Sequence, residues 1–339
     1  MSHELAWGVF LACLATILFA GRRLTHSADA IALRTGLGRV FIGSVLLAGT
    51  TSLPEVATEA AAASMKLIDI ALGDLFGSNI YNMTILSVCG LVWGRGALLA
   101  AASRSHLAPA VLGMLLSAIA ALAILARPNM GLMGIGVEVF IILAFYAFGL
   151  HMLRRMGDDP ADPPAADALK KAAVTESSMA RLWGQFSVSA GFVIAAAIFL
   201  SKSADVIATA TGLGGTFIGT TLVAATTSMP ELVTSIVAVR MGAIDLAVGN
   251  VLGSNIFNMN ILLVSDIFYR DGYIISAGSP THAITALVGL VLSGLVALGL
   301  LYPIPGRFRR LSAESIIIFV VYLIGTYLVF LNRAGLSQP

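Results

Sequence analysis

Charge is what this 339-residue sequence has least of: only 11% of its side chains are Asp, Glu, Lys or Arg, against 58% hydrophobic. Soluble domains average about a quarter charged. The deficit excludes a cytosolic enzyme, a disordered chain and a nucleic-acid binder. The net charge of +2 gives no ground for an anionic partner. Cysteine is scarce as well. Cys13 and Cys89 both lie in apolar runs, which excludes a disulfide framework. The "TGLG" runs at 35–38 and 211–214 lack the preceding strand and the third glycine of a dinucleotide loop, and no Walker motif is present.

Long apolar runs are abundant. A hydrocarbon core about 30 Å thick needs roughly 20 apolar residues per helix. On that measure ten spans are expected, over 5–21, 37–63, 68–93, 106–126, 130–153, 184–201, 213–239, 244–268, 281–302 and 313–332. The second, third, seventh and eighth carry Gly, Pro, Ser, Thr and Asn in their middles. Arg22 and Arg23 follow the first run instead of preceding it, so that run reads as a retained helix with its N-terminus outside, not a secretory signal. With this orientation fifteen Lys and Arg fall on the inner side, and five fall outside: Lys66, Arg127, Lys202, Arg270 and Arg333. That is a positive-inside bias, and both termini are expected outside. The polar stretch 154–183, with Asp158, Asp159, Pro160, Asp162, Pro163 and Pro164, reads as a flexible cytoplasmic linker between halves at 1–153 and 184–339.

The halves repeat one another. Shifted by 176 residues without a gap, 27–86 matches 203–262 at 34 of 60 positions. "TTSLPE" at 50–55 meets "TTSMPE" at 226–231, and "GSNIYNMTIL" at 77–86 meets "GSNIFNMNIL" at 253–262. Shared hydrophobicity alone does not align Pro with Pro and Asn with Asn. Five spans per half is an odd number, so the copies face opposite ways across the bilayer. The expected fold is therefore an all-α polytopic membrane protein with ten transmembrane helices in two inverted five-helix repeats. Inverted repeats with interrupted helices at their interface mark transporters.

The interrupted helices carry the chemistry. Glu55 and Glu231 fall mid-span, where an ionised carboxylate costs roughly 2.5–3.5 kcal/mol on insertion scales. Pro54 and Pro230 precede them and free carbonyls four residues earlier. Thr51 and Thr227 lie four residues before each acid, and Ser52 and Ser228 three before, on the same helical face. In the next helices Ser78 and Asn82 are four apart, as are Ser254 and Asn258. This oxygen-only inventory suits a hard cation such as Ca²⁺, which takes six to eight oxygens. The absence of His and Cys there argues against zinc, copper or iron. Asp69 and Asp245 match near helix ends, where capping is the expected role, and the five His residues suggest no function.

The paired "TSLPE…GSNIYN" and "TSMPE…GSNIFN" blocks resemble the two alpha repeats of the cation/calcium exchanger superfamily, and within it the prokaryotic sodium/calcium exchanger-like branch. The resemblance covers essentially the whole chain. It implies antiport of Na⁺ against Ca²⁺ by alternating access in a cell (inner) membrane, with inorganic cations as substrates, no cofactor and no enzymatic reaction. Carried over by position, Glu55 and Glu231 would be the central Ca²⁺ ligands, shared with Na⁺. Thr51 and Thr227 would join them, with the carbonyls of Ala48 and Ala224. Ser52, Ser78, Ser228 and Ser254 would line flanking Na⁺ sites, and Asn82 and Asn258 would close the centre.

The sequence departs from the family pattern in three places. Both closing positions are Asn, where the branch often has one Asp. Asp74 stands opposite Asn250 in the repeat, on the face of Ser78 and Asn82, as an expected displaced third carboxylate. Glu59 stands opposite Ser235, with a pathway-lining role and a solvated helix face equally open. Two ionised Glu are neutralised by one Ca²⁺ or two Na⁺, which makes loaded states the ones that cross an occluded, low-dielectric intermediate. The rival readings are proton coupling at the same acids, a passive channel, and a membrane enzyme or receptor. The inverted repeat disfavours the channel. An enzyme or receptor lacks any nucleophile–base set or extracellular ligand-binding domain here.

Overall fold

A computed structural model describes residues 1–35, 48–94, 96–155, 178–302, 307–308 and 311–332. The helices are α1 (His3–Thr35), α2 (Ala48–Thr51), α3 (Leu53–Ser64), α4 (Ile68–Trp93), α5 (Leu107–Ala126) and α6 (Val137–Arg155). After them come α7 (Met179–Thr211), α8 (Gly215–Ile218), α9 (Ala224–Thr227), α10 (Met229–Arg240), α11 (Ile244–Phe268), α12 (Ile274–Ala277), α13 (Thr281–Leu301) and α14 (Ala313–Leu331). Several of these recur at the 176-residue offset seen in the sequence: α1 with α7, α2 with α9, α3 with α10 and α6 with α14.

Among the described residues seven helices are long and apolar enough to cross a bilayer, or eight if the bent pair Gly215–Thr227 and Met229–Arg240 is one span. The chain is a largely helical polytopic membrane protein. Large apolar side chains such as Phe19, Leu122 and Phe192 stand exposed on the outer helices, the reverse of a water-facing surface.

Several expected boundaries are corrected. The first and sixth spans extend into 33-residue helices, α1 and α7, because backbone hydrogen bonding continues through Arg22, Arg23 and Lys202 after the apolar run ends. Hydropathy reports what lipid tolerates, whereas helix length follows propensity and caps. The helix α7 stops at Gly212, which takes the left-handed conformation that favours glycine, and starts after Ser178, whose side chain accepts from Arg181 N. The linker expected to end at 183 therefore ends by 178, and residues 156–177 lie outside the described residues. The start of the fifth span is not helix: Gly131–Leu132 (β1) and Ile135–Gly136 (β2) form an antiparallel hairpin ahead of α6. Arg307–Phe308 (β3) and Leu311–Ser312 (β4) form another ahead of α14. Of the second span, 37–47 lie outside the described residues.

Two apolar clusters lie on either side of a polar layer. Helix α4 contributes Ile70–Phe76 to one cluster and Ile80–Cys89 to the other. Helix α11 contributes in the reverse order, Val248–Leu252 to the second and Ile256–Leu262 to the first. The two helices thus run antiparallel through the layer, and Ser78, Asn79, Ser254 and Asn255 fall where the clusters change over. Both helices are apolar around most of their circumference, as a helix surrounded by protein must be.

Close approach of backbones sets the layer. Within lipid there is little hydrophobic drive between helices, so small residues that let backbones meet dominate. A Cβ on Gly77 would stand 2.6 Å from Thr220 Cα and 2.8 Å from Ala224 Cβ, and one on Gly73 would stand 2.9 Å from Gly219 Cα. Glycine is required there by space. The segment it meets, Gly219–Val223, is a π-helical turn, a form that concentrates at functional sites.

Candidate ion-binding site

The breaks predicted at the Pro–Glu pairs are present and alike. Ser52 (φ −83, ψ 11) separates α2 from α3, and Ser228 (φ −82, ψ 11) separates α9 from α10. Pro54 and Pro230 occupy the second positions of the new helices, within the first turn whose N–H groups have no intrahelical partner, so the missing N–H costs nothing. Glu55 and Glu231 follow in the first turn, near the positive end of a helix dipole. Both carboxylates are fully buried.

Each acid is held by the other half of the chain. Ser52 Oγ donates to Glu231 Oε1 and Ser228 Oγ donates to Glu55 Oε1, both at 2.9 Å. Ser254 Oγ also donates to Glu231 Oε1, at 3.3 Å. The threonines lie in two flanking clusters. Thr51 Oγ1 is 3.1 Å from Ala48 O, 3.3 Å from Asn250 Oδ1 and 3.4 Å from Ser254 Oγ. Thr227 Oγ1 is 2.8 Å from Asp74 Oδ1, 3.2 Å from Ala224 O and 3.3 Å from Ser78 Oγ. The carbonyls of Ala48 and Ala224 also accept from Ser52 N and Ser228 N at 3.0 Å. Asn82 and Asn258 turn their amide nitrogens to Asn255 Oδ1 (3.0 Å) and Asn79 Oδ1 (3.1 Å).

What is left over defines the chemistry. Glu55 Oε2, Glu231 Oε2, Asn82 Oδ1 and Asn258 Oδ1 are buried acceptors with no donor. Among the described residues the lysine–carboxylate pair is Lys66–Asp271 and the histidine–carboxylate contacts are His106–Asp245 and His282–Asp69, and none involves Glu55 or Glu231. Buried carboxylates without a cationic partner are strongly unfavourable unless something positive joins them. All twelve residues marked by the sequence fall in this layer, and Asp74 with them.

The family profile described as "Sodium/calcium exchanger protein" matches residues 5–153 and 181–331. The chain belongs to this family. The exchanger is 28% identical over 326 residues to "Putative antiporter CaxA" of Alkalimonas amylolytica, covering 94% of this chain and 96% of that one. It is 30% identical to "Sodium/calcium exchanger MaX1" of Methanosarcina acetivorans, covering 72% and 77% respectively. Its fold resembles the solved sodium-calcium exchanger NCX_Mj, with a TM-score of 0.60, 24% identity, and coverage of 95% and 98%. It also resembles an H⁺/Ca²⁺ exchanger CAX, with a TM-score of 0.66, 14% identity, and coverage of 97% and 88%. The exchanger is thus a membrane transporter, not an enzyme.

Several residues of the exchanger that support the site were not singled out by the sequence reading. Asn79 and Asn255, the third letters of the two "GSN" blocks, hold the amides of Asn258 and Asn82 across the seam, and Asn255 Nδ2 donates to Asn79 O at 3.0 Å. Their signal was the exact repeat itself. Asp69 and Asp245 do cap, but they cap segments of the opposite half. Asp69 Oδ1 accepts from Ser279 N (2.9 Å) and faces His282 Nε2 (3.1 Å). Asp245 Oδ1 accepts from Ser103 N (2.6 Å) and faces His106 Nε2 (3.0 Å). His106 and His282, given no part by the sequence, thus hold matching clamps between the halves. Glu59 is fully buried, which rules out a solvated helix face.

Proposed function

We propose that this chain is a secondary-active antiporter exchanging Na⁺ for Ca²⁺ by alternating access at a site built on Glu55 and Glu231. The observation that carries the reading is the pair of buried carboxylates, each bonded on one oxygen by a serine of the other half and bare on the second. Thr51, Thr227, Asn82 and Asn258 supply further oxygens toward the six to eight that Ca²⁺ takes. Ser52, Ser78, Ser228 and Ser254, with the carbonyls of Ala48 and Ala224, serve Na⁺ on either flank. A cation displaces no strong internal partner there, because the bare oxygens have none.

The architecture that goes with this function is ten spans in two inverted five-helix repeats, the first ending with α6 and the second beginning with α7, joined by a cytoplasmic linker, with both termini outside and the chain in the cell (inner) membrane. The antiparallel courses of α4 and α11 and the shared 176-residue offset support it. Long α1 and α7, packed along one another, are the elements expected to slide across the rest. One Ca²⁺ or two Na⁺ neutralises the two acids, whereas the empty site keeps two buried charges. That difference makes exchange obligatory and leak slow. Na⁺ is favoured over H⁺ as the coupling ion by the 30% identity to a relative named as a sodium/calcium exchanger. The likeness to the proton-coupled exchanger is one of fold.

The test is ⁴⁵Ca²⁺ uptake into Na⁺-loaded proteoliposomes, with Glu55→Gln and Glu231→Gln alongside. The expected result is uptake that needs the outward Na⁺ gradient and is lost in either variant. Uptake that ignores Na⁺ and follows a pH gradient assigns the coupling to protons instead. Absence of Ca²⁺ uptake under either gradient overturns the substrate.

A further inference from the structure

Helices α1 and α7 pack along one another, and toward the start of α7 a groove of about 710 Å³ opens between them. Phe19, Leu182 and Val188 give it apolar walls, and Arg22 and Arg23 add two positive charges to its lining. Both arginines are exposed, and among the described residues no carboxylate pairs with either. Arg23 is held beside the groove by an aromatic face, its guanidinium carbon 4.4 Å from the centre of the Phe19 ring. At the 176-residue offset the matching positions are Ile198 and Phe199, both exposed apolar side chains. The basic pair is therefore an addition to one half, not a requirement of the shared fold.

The lining asks for an amphipathic occupant. Two adjacent guanidinium groups match a phosphate, which accepts paired hydrogen bonds from arginine. The apolar walls that continue from them match an acyl chain. The linker of this chain offers Asp158, Asp159 and Asp162 as counter-charges, but its large apolar side chains over 156–177 are Met156, Leu169 and Val174 alone. That is too little apolar surface to cover the walls. Basic pockets between transmembrane helices on the cytoplasmic side are where acidic lipid headgroups bind, and the positive-inside bias puts Arg22 and Arg23 on that side.

We propose that the groove between α1 and α7 binds one anionic phospholipid, with its phosphate on Arg22 and Arg23 and an acyl chain along Phe19 and Val188. Such a lipid spans the two long helices that the exchange reading sets in motion. Its binding does not depend on that reading and is measured without transport.

Trp183 follows Leu182 of the groove and is exposed, so its fluorescence reports what lies there. In the full-length chain carrying Trp7→Phe and Trp93→Phe it is the one indole left. Phospholipids brominated on their acyl chains quench an indole that they touch. In nanodiscs of unbrominated phosphatidylcholine, brominated phosphatidylglycerol is compared with brominated phosphatidylcholine. The anionic lipid is expected to reach half-quenching at a mole fraction roughly thirtyfold lower, about fivefold for each arginine. Arg22→Gln and Arg23→Gln are each expected to cut the preference about fivefold, and the double variant to abolish it. Arg104→Gln, an exposed arginine outside the groove, is expected to leave the preference intact. Monodisperse elution identifies folded protein, and the single variants carry the comparison if the double variant aggregates. Equal quenching by the two lipids overturns the proposal, as does a preference that survives in the folded double variant. An equal loss in Arg104→Gln overturns it in favour of general surface charge. Quenching by neither lipid overturns it in favour of the linker as the cover.

Discussion

Gly77→Ala tests whether close backbone approach holds the ion site together. The new Cβ would lie 2.6 Å from Thr220 Cα and 2.8 Å from Ala224 Cβ. Carbon atoms settle about 3.5–4.0 Å apart, so α4 and the 219–224 segment must separate by about 0.9 Å or more. Neither contact is the mobile end of a side chain, so the strain cannot be relieved by a rotamer change. Overpacking of this kind costs about 1–3 kcal/mol. The same displacement lengthens the bridges three residues away. The Thr227–Asp74 contact, now 2.8 Å, would pass beyond hydrogen-bonding distance, and Thr227–Ser78, now 3.3 Å, would be lost first. The assay is gradient-driven ⁴⁵Ca²⁺ uptake, read beside thermal unfolding in detergent. The expected outcome is lower unfolding temperature together with loss of most uptake. Gly8→Ala is the control, because a Cβ there meets nothing within 4 Å and helix propensity favours Ala by about 1 kcal/mol. Wild-type stability and uptake in Gly77→Ala would refute the reasoning.

Two further predictions address the seam. Ser52→Ala and Ser228→Ala each remove a donor to the glutamate of the opposite half. A hydrogen bond to a charged group is worth about 1.5–3 kcal/mol, so apparent ion affinity should change by at least tenfold in both variants. Ser228→Ala is expected to be the more severe in uptake assays, because Ser254 still donates to Glu231 when Ser52 is gone. Asn79→Ala frees the amide of Asn258, and Asn255→Ala that of Asn82. Each should raise the Na⁺ concentration needed for half-maximal uptake with less effect on protein yield, and a normal Na⁺ dependence in both would remove the asparagines from the site.

The membrane class, the repeat and the marked residues were legible in the sequence because each is a local or periodic property. Apolar runs of bilayer length, Pro beside Glu in mid-span and a gapless 176-residue offset need no knowledge of contacts. Glu55, Glu231 and their hydroxyl neighbours could be named for the same reason: a carboxylate is too costly in lipid to stand mid-span without purpose. Helix ends were less legible. Hydropathy stops at Arg22 while the backbone of α1 continues to Thr35, and the apolar residues ahead of α6 fold as a hairpin.

Partnership was decided by the tertiary structure alone. Nothing along the chain says that Ser52 serves Glu231 and not Glu55 three residues away, or that Asp69 and Asp245 cap the opposite half. Those pairings arise only when α4 and α11 cross the polar layer in opposite directions and glycine lets their neighbours close in. Sequence determined which atoms are available to a cation; three-dimensional packing determined which of them are left without a partner.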